Sequence, residues 1–186
     1  MASKKTSKDS RAPLNRTPTA PVKAAPPLNP TLNDISEGTR RKIVSILNQE
    51  LADIIDLRSQ AKQAHWNVKG SNFIGLHKLF DSVAKKLDEY TDLIAERGVE
   101  LGGVAMGTVR LSAANSRLKE YPLEIQASSD HVKSLSRSLS QFGASIRAGI
   151  ETAENLGDMD TSDMFTDISR DLDKFLWMVE AHNLGR

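Results

Sequence analysis

Residues 73–103 read FIGLHKLFDSVAKKLDEYTDLIAERGVELGG. Within that stretch Leu76, Phe80, Val83, Leu87, Ile94 and Ala95 recur at the three- and four-residue spacing of one helical face, until Leu101-Gly102-Gly103 stops the pattern. Just before it, Val68-Lys69-Gly70-Ser71-Asn72 has the composition of a tight turn. On the other side of the turn, Ile43, Ile46, Leu47, Leu51, Ile54 and Ala61 mark the buried face of a helix over about residues 36–66. Beyond the glycines comes a linker of about eighteen residues, with a short helix expected around Ala113 to Leu118. Pro122 is expected to open a third long helix, whose stripe is Val132, Leu135, Leu139, Phe142 and Ile146. Leu156-Gly157 interrupts it. Thr161 or Ser162 is then expected to cap a fourth helix, buried through Phe165, Ile168, Leu172, Phe175, Leu176 and Val179.

Two short connections flanking one long one predict an all-α chain, a ferritin-like four-helix bundle with a single crossover between its second and third long helices. No alternating strand pattern competes. At 186 residues the chain suits one core with an appendage. The hydrophobic fraction of 39% and mean hydropathy of −0.40 fit helices that carry their apolar residues in stripes. No apolar run approaches the ~20 residues of a membrane span, and Met1 to Lys8 lacks the core of a secretory signal. A cytoplasmic location is therefore expected. With no cysteine, a metal must be held by His, Asp, Glu or backbone oxygen.

Charge divides the chain unevenly. Six of the seven prolines fall in residues 1–33, with Lys4, Lys5, Lys8, Arg11, Arg16 and Lys23 against the single acid Asp9. Removing those six and one from the 25 basic and 24 acidic residues leaves 19 and 23 for residues 34–186. Residues 1–33 are read as a disordered or extended basic arm, too poor in apolar surface to offset its ordering entropy, and residues 34–186 as a mildly acidic bundle.

The second helix places His77 and Asp81 four apart, and Asp92 and Glu96 four apart. The eleven steps from Asp81 to Asp92 return to within about 20° around the axis but rise about 16 Å, so the two pairs share a stripe and cannot share a metal. His65 lies at the far side of the turn. If a second copy of this helix crosses the first antiparallel about a two-fold axis near residues 86 and 87, His77-Asp81 of one chain faces Asp92-Glu96 of the other. Two sites per dimer result, each with two imidazoles and three carboxylates, a set suited to one or two Fe(II) ions. Plainer explanations exist: Asp92-Glu96 as a solvated face, and His65 beside Trp66 as a packed core residue. His65, His77 and Asp81 also have the composition of a mononuclear two-His-one-carboxylate oxygenase site, but such sites more usually sit in strand-rich folds. None of the four histidines has a glutamate three residues before it, which disfavours a di-iron centre built inside one bundle from Glu-x-x-His pairs.

The stretch Lys62-Gln63-Ala64-His65-Trp66-Asn67-Val68-Lys69-Gly70, continued by Asn72-Phe73, His77, Asp81, Asp92, Ala95-Glu96-Arg97 and Leu101-Gly102-Gly103, closely resembles the signature of the Dps family, the DNA-binding proteins from starved cells. Ser169-Arg170-Asp171-Leu172-Asp173-Lys174-Phe175-Leu176-Trp177 is similar to that family as well. The resemblance runs from about residue 40 to 182 and leaves the arm uncovered. It implies a ferroxidase centre at a dimer interface, with His65, His77 and Asp81 from one subunit and Asp92 and Glu96 from its mate. It further implies a hollow shell of twelve subunits with tetrahedral symmetry, Fe(II) oxidised by hydrogen peroxide in preference to dioxygen, and ferric mineral stored inside. Trp66 matches a family tryptophan that intercepts stray oxidising equivalents, core packing being its plain alternative. Asp160, Asp163 and Asp167 align with acidic residues of the three-fold pores, where a negative field gathers Fe(II); their plain alternative is complementing the helix dipole. Non-specific DNA binding and a nucleoid-associated location would come from Lys4, Lys5, Lys8, Arg11, Arg16 and Lys23, which reach phosphates without reading bases. A solubilising or assembly tail is the plain alternative. His131 and His182 match no ligand motif.

Overall fold

In the computed structural model, which describes residues 26–183, five helices and no strand are found among those residues. They are α1 (Glu37–Asn67), α2 (Phe73–Glu100), α3 (Val109–Asn115), α4 (Ser128–Asn155) and α5 (Met159–Glu180). The four long helices form the expected bundle. α1 and α2 pack along their length as one antiparallel hairpin, α4 and α5 as another, and α1 against α4 joins the two, while α3 lies on α1. The stripes meet in a single core: Ile43, Leu47 and Ile54 from α1, Phe80 and Leu87 from α2, Leu139 and Phe142 from α4, Phe165 and Ile168 from α5. Burying each such side chain contributes roughly 1.5–3 kcal/mol, which is how helices with so many polar residues hold together.

The boundaries depart from expectation at three places, each for a local reason. α3 begins earlier, because the Thr108 hydroxyl accepts from the Leu111 N–H and starts the helix there. α4 begins at Ser128, six residues past Pro122. Residues 122–127 stay irregular, so the proline belongs to the connection and not to the first turn of a helix. α5 is capped by Asp158, not by Thr161 or Ser162: the Asp158 carboxylate accepts from the Thr161 N–H at 3.1 Å and from its hydroxyl at 2.6 Å. Asp158 is buried, and Arg97 of α2 donates to it at 2.7 Å. That bond ties the start of α5 to the end of α2.

The crossover is held by charge. Arg117 donates to Glu50 at 2.8 Å and, through Nε, to Asp53 at 2.8 Å, both carboxylates lying buried on α1. Ser145 of α4 donates to the same Glu50 oxygen. Burial outweighs these contacts for Glu50 and pushes its carboxyl pKa up. Removing Arg117 would leave two buried carboxylates without a counter-ion.

Of the expected arm, residues 1–25 lie outside the described residues, and with them Lys4, Lys5, Lys8, Arg11, Arg16 and Lys23. The described part, 26–33, is non-helical and runs against the end of α2. Leu28 packs on the core, and the Asn29 N–H donates to the Gly102 carbonyl at 2.7 Å. This contact explains the paired glycines. Gly102 has φ +82°, and a Cβ there would lie 2.5 Å from the Asn29 carbonyl oxygen. At Gly103 a Cβ would lie 2.5 Å from Val44 and 2.7 Å from the Gly98 carbonyl oxygen, which is main chain and cannot rotate aside. Gly103→Ala is therefore expected to lower the thermal unfolding midpoint, by a penalty of about 1–3 kcal/mol for overpacking. An unchanged midpoint would mean that the end of α2 can back away from α1 at no cost.

Candidate metal centre

His65 occupies the last turn of α1 and His77 the second turn of α2, with the reversal at residues 68–72 between them. The reversal brings the two rings together. Their centroids are 3.8 Å apart with the planes 25° from parallel, and Phe73 stands beside His77 at 5.0 Å. Each ring is bonded to the main chain of the other residue: His65 Nδ1 to the His77 carbonyl at 2.7 Å, and His77 Nδ1 to the His65 carbonyl at 2.9 Å. A carbonyl only accepts, so each Nδ1 must carry the hydrogen. In a neutral ring the lone pair then sits on Nε2, and neither Nε2 has a hydrogen-bond partner among the described residues. An imidazole fixed through Nδ1 with Nε2 unbonded has the form in which histidine serves as a metal ligand.

Asp81 follows one helical turn after His77. Both its oxygens are engaged by ammonium groups, Oδ1 by Lys62 and Oδ2 by Lys85, each at 2.9 Å. Lys85 first and Lys62 second hold its carboxyl well below the usual carboxylate range. The charged form is thus strongly favoured, and the position accepts cations. The donor set, imidazole Nε2 and carboxylate oxygen, fits Fe(II) and excludes metals that require thiolate.

A single chain does not complete the centre: among the described residues no group of three or more His, Asp or Glu side chains is gathered closely enough to hold a metal ion. Asp92 and Glu96 are exposed on α2, about 16 Å further along by the helical rise. Asp92 lines an open groove with Ile55, Asp88, Glu89, Ala95 and Thr108. Trp66 is 65% exposed, with the Lys62 ammonium 5.8 Å from its ring, so core packing does not describe it within the chain. Nor is His65 a plain core residue, since it is only half-buried.

At the other end of α2, Asp160 stands exposed in the first turn of α5 and 3.9 Å from Arg97. Asp163 is exposed, and Asp167 pairs with Arg170 at 3.0 Å. The sequence reading missed Asp158, although a carboxylate followed three residues later by threonine just after Gly157 is a capping signal. It also missed Tyr90, whose hydroxyl donates to Asp171 at 2.7 Å and whose pKa burial pushes up. His131 and His182 have local roles: His131 is buried with Nδ1 2.7 Å from the Tyr121 hydroxyl, and His182 Nδ1 lies 2.9 Å from the Met178 carbonyl.

Comparison with known proteins points one way. The family model of the ferritin-like domain matches residues 44–183. A DNA protection during starvation protein of Agrobacterium fabrum is 43% identical over 152 residues, covering 82% of this chain and 94% of the relative. Among solved structures, Dps of Mycobacterium smegmatis superposes with a TM-score of 0.79 at 29% identity, covering 83% of this chain and 93% of that one. The Dps protein of Vibrio cholerae, described as a member of the ferritin-like diiron-carboxylate superfamily, gives a TM-score of 0.76 at 25% identity, covering 84% and 97%.

The Asp81 clamp makes a pH prediction. A carboxyl held low in the folded chain gives stability that is present above the unfolded value and is lost as pH falls through the folded one. In the lone subunit the Asp81 side-chain carboxyl, followed by 13C NMR, is expected to titrate below an ordinary aspartate, and Lys85→Gln is expected to move its midpoint upward. A midpoint unmoved by that substitution would remove Lys85 from the electrostatics of the centre.

Proposed function

Because the chain belongs to the Dps family of ferritin-like proteins, we propose that it is a ferroxidase and iron store that protects DNA from oxidative damage. The observation that carries this reading is the locked histidine pair, with Asp81 one helical turn beyond His77. Two Nε2 lone pairs and an ionised carboxylate lie on the outer face of the α1–α2 hairpin, where a second subunit can add to them. Antiparallel pairing of two α2 helices brings Asp92 and Glu96 of the partner to that place.

Fe(II) is the substrate. His65 and His77 would bind it through Nε2, while Asp81, with Asp92 and Glu96 from the other chain, would offset the positive charge that grows as Fe(II) becomes Fe(III). Two Fe(II) ions supply two electrons that, with two protons from solvent, reduce one hydrogen peroxide to two waters and leave two Fe(III), so peroxide is consumed without releasing hydroxyl radical. Dioxygen is the slower alternative oxidant. Trp66, exposed and next to His65 in sequence, would take up a stray oxidising equivalent. The product mineral would collect in a hollow twelve-subunit shell, with Fe(II) drawn in past Asp160, Asp163 and Asp167.

DNA association is assigned to the basic arm. Lys4, Lys5, Lys8, Arg11, Arg16 and Lys23 supply phosphate contacts that the acidic bundle lacks, and twelve arms act together by avidity. A shell with only one of the two activities is the second reading, favoured by the fact that ligands and arm share no residue.

Two variants separate these roles. His65→Ala with His77→Ala is expected to slow Fe(II) oxidation by peroxide, read by stopped-flow absorbance, by about a hundredfold or more while DNA retardation persists. Oxidation at the parental rate would leave only a structural shell. Deleting residues 1–25, which removes all six basic residues and keeps Leu28 and Asn29 against the bundle, is expected to abolish gel retardation at low and moderate salt and to leave oxidation intact. Unchanged retardation would move DNA binding to the bundle.

A further inference from the structure

Two more charged residues share the stripe of α2 that bears the proposed ligands. Positions 77, 81, 85, 88, 92 and 96 fall within about 100° of one another around the helix axis. About the midpoint between residues 86 and 87 they pair off by distance: His77 with Glu96, Asp81 with Asp92, and Lys85 with Asp88. Two antiparallel copies of α2 crossing at that midpoint therefore set imidazole against carboxylate at 77 and 96 and carboxylate against carboxylate at 81 and 92. Between these positions they set ammonium against carboxylate, twice.

Within the single chain Lys85 is engaged elsewhere. Its Nζ lies 2.9 Å from Asp81 Oδ2, although the side chain is 76% exposed, and Asp88 is paired with Arg58 at 2.7 Å. An ammonium on an exposed four-carbon stem changes acceptor by rotamer alone. Asp81 can spare it, since Lys62 bonds the other oxygen.

Resting on the antiparallel pairing proposed above, we infer that Lys85 is a positioning residue that changes partner on assembly. It caps Asp81 Oδ2 in the lone chain and turns to the partner's Asp88 when two α2 helices meet. The handover bares one oxygen of Asp81 toward Fe(II) and places an attractive pair beside the repulsive Asp81–Asp92 pair. Iron affinity is thereby coupled to assembly, and a lone subunit with nowhere to put ferric product keeps its carboxylate covered.

The test is an anaerobic titration of the assembled full-length particle with Co(II), a redox-stable probe of the same donor set, followed by its visible absorption. Asp88→Asn is expected to weaken Co(II) binding by roughly three- to tenfold, because Lys85 returns to Asp81. Adding Lys85→Gln to that variant is expected to restore the parental affinity. Weakening that the second substitution fails to relieve, or no weakening at all, overturns the handover. Asp92→Asn provides the reference: if it binds Co(II) like the parent, the two-chain centre itself is wrong, whereas a weakened Asp92→Asn with a parental Asp88→Asn sinks the handover alone. Should Asp88→Asn particles fall apart, Lys85→Gln particles carry the question. A parental affinity supports the handover, while a gain of threefold or more means that Lys85 still covers Asp81 in the assembly and refutes it.

Discussion

Two hydrogen bonds crossing between the end of α1 and the start of α2 fix the histidine pair on which the centre depends. Each joins an imidazole Nδ1 to the main-chain carbonyl of the other histidine, so ring orientation and backbone position are set together. The tautomer follows, and with it the nitrogen left over for a metal. The rings also hold the mouth of the turn at stacking distance. The core below contributes most of the stabilisation and, with the five-residue turn, sets how α1 lies along α2 and hence where Asp81 and Lys62 meet. The reciprocal bonds pin the two rings within that register.

That register has an electrostatic consequence. Asp81 without its lysines would be an ordinary half-exposed carboxylate; flanked by Lys62 and Lys85 it is a charge already compensated. Asp92, by contrast, stands on a groove among Asp88 and Glu89. One half of the proposed centre is therefore cation-saturated within its own chain and the other half acid-rich. Joining them sets the lysines of one half against the carboxylates of the other and leaves a net negative charge that a cation can offset. A centre so divided has no use in a single bundle, in keeping with the absence of a gathered ligand set among the described residues.

Much of this was legible in the sequence, because helices write their faces at a fixed period. The four stripes, the turn at residues 68–72 and the paired glycines all marked real features, and the four-apart ligand pairs follow from helical geometry without knowledge of packing. What failed was local. Pro122 lies in an irregular segment, Thr108 moved α3 and Asp158 capped α5, because a proline or a capping residue names several possible starts and packing selects one. The Arg117 clamp on Glu50 and Asp53 was invisible, since it joins residues more than sixty positions apart whose burial no local pattern announces. The lysine clamp on Asp81 was half visible: Lys85 stands one turn away on the same face, whereas Lys62 reaches it only through the register of the hairpin.

The distribution of charge adds a constraint of its own. Gathering Fe(II) requires a negative field and gathering DNA a positive one, and on one surface the two would cancel within a Debye length of about 10 Å. The chain keeps the two signs of charge apart in sequence, with a basic excess in residues 1–33 and an acidic excess over residues 34–186. Within the bundle the separation continues. Arg97 is spent on buried Asp158, leaving Asp160 only a distant contact and Asp163 without any ion pair among the described residues. Neutralising the buried acid leaves the exposed carboxylates of Asp160 and Asp163 to offset the positive end of the helix dipole at the start of α5.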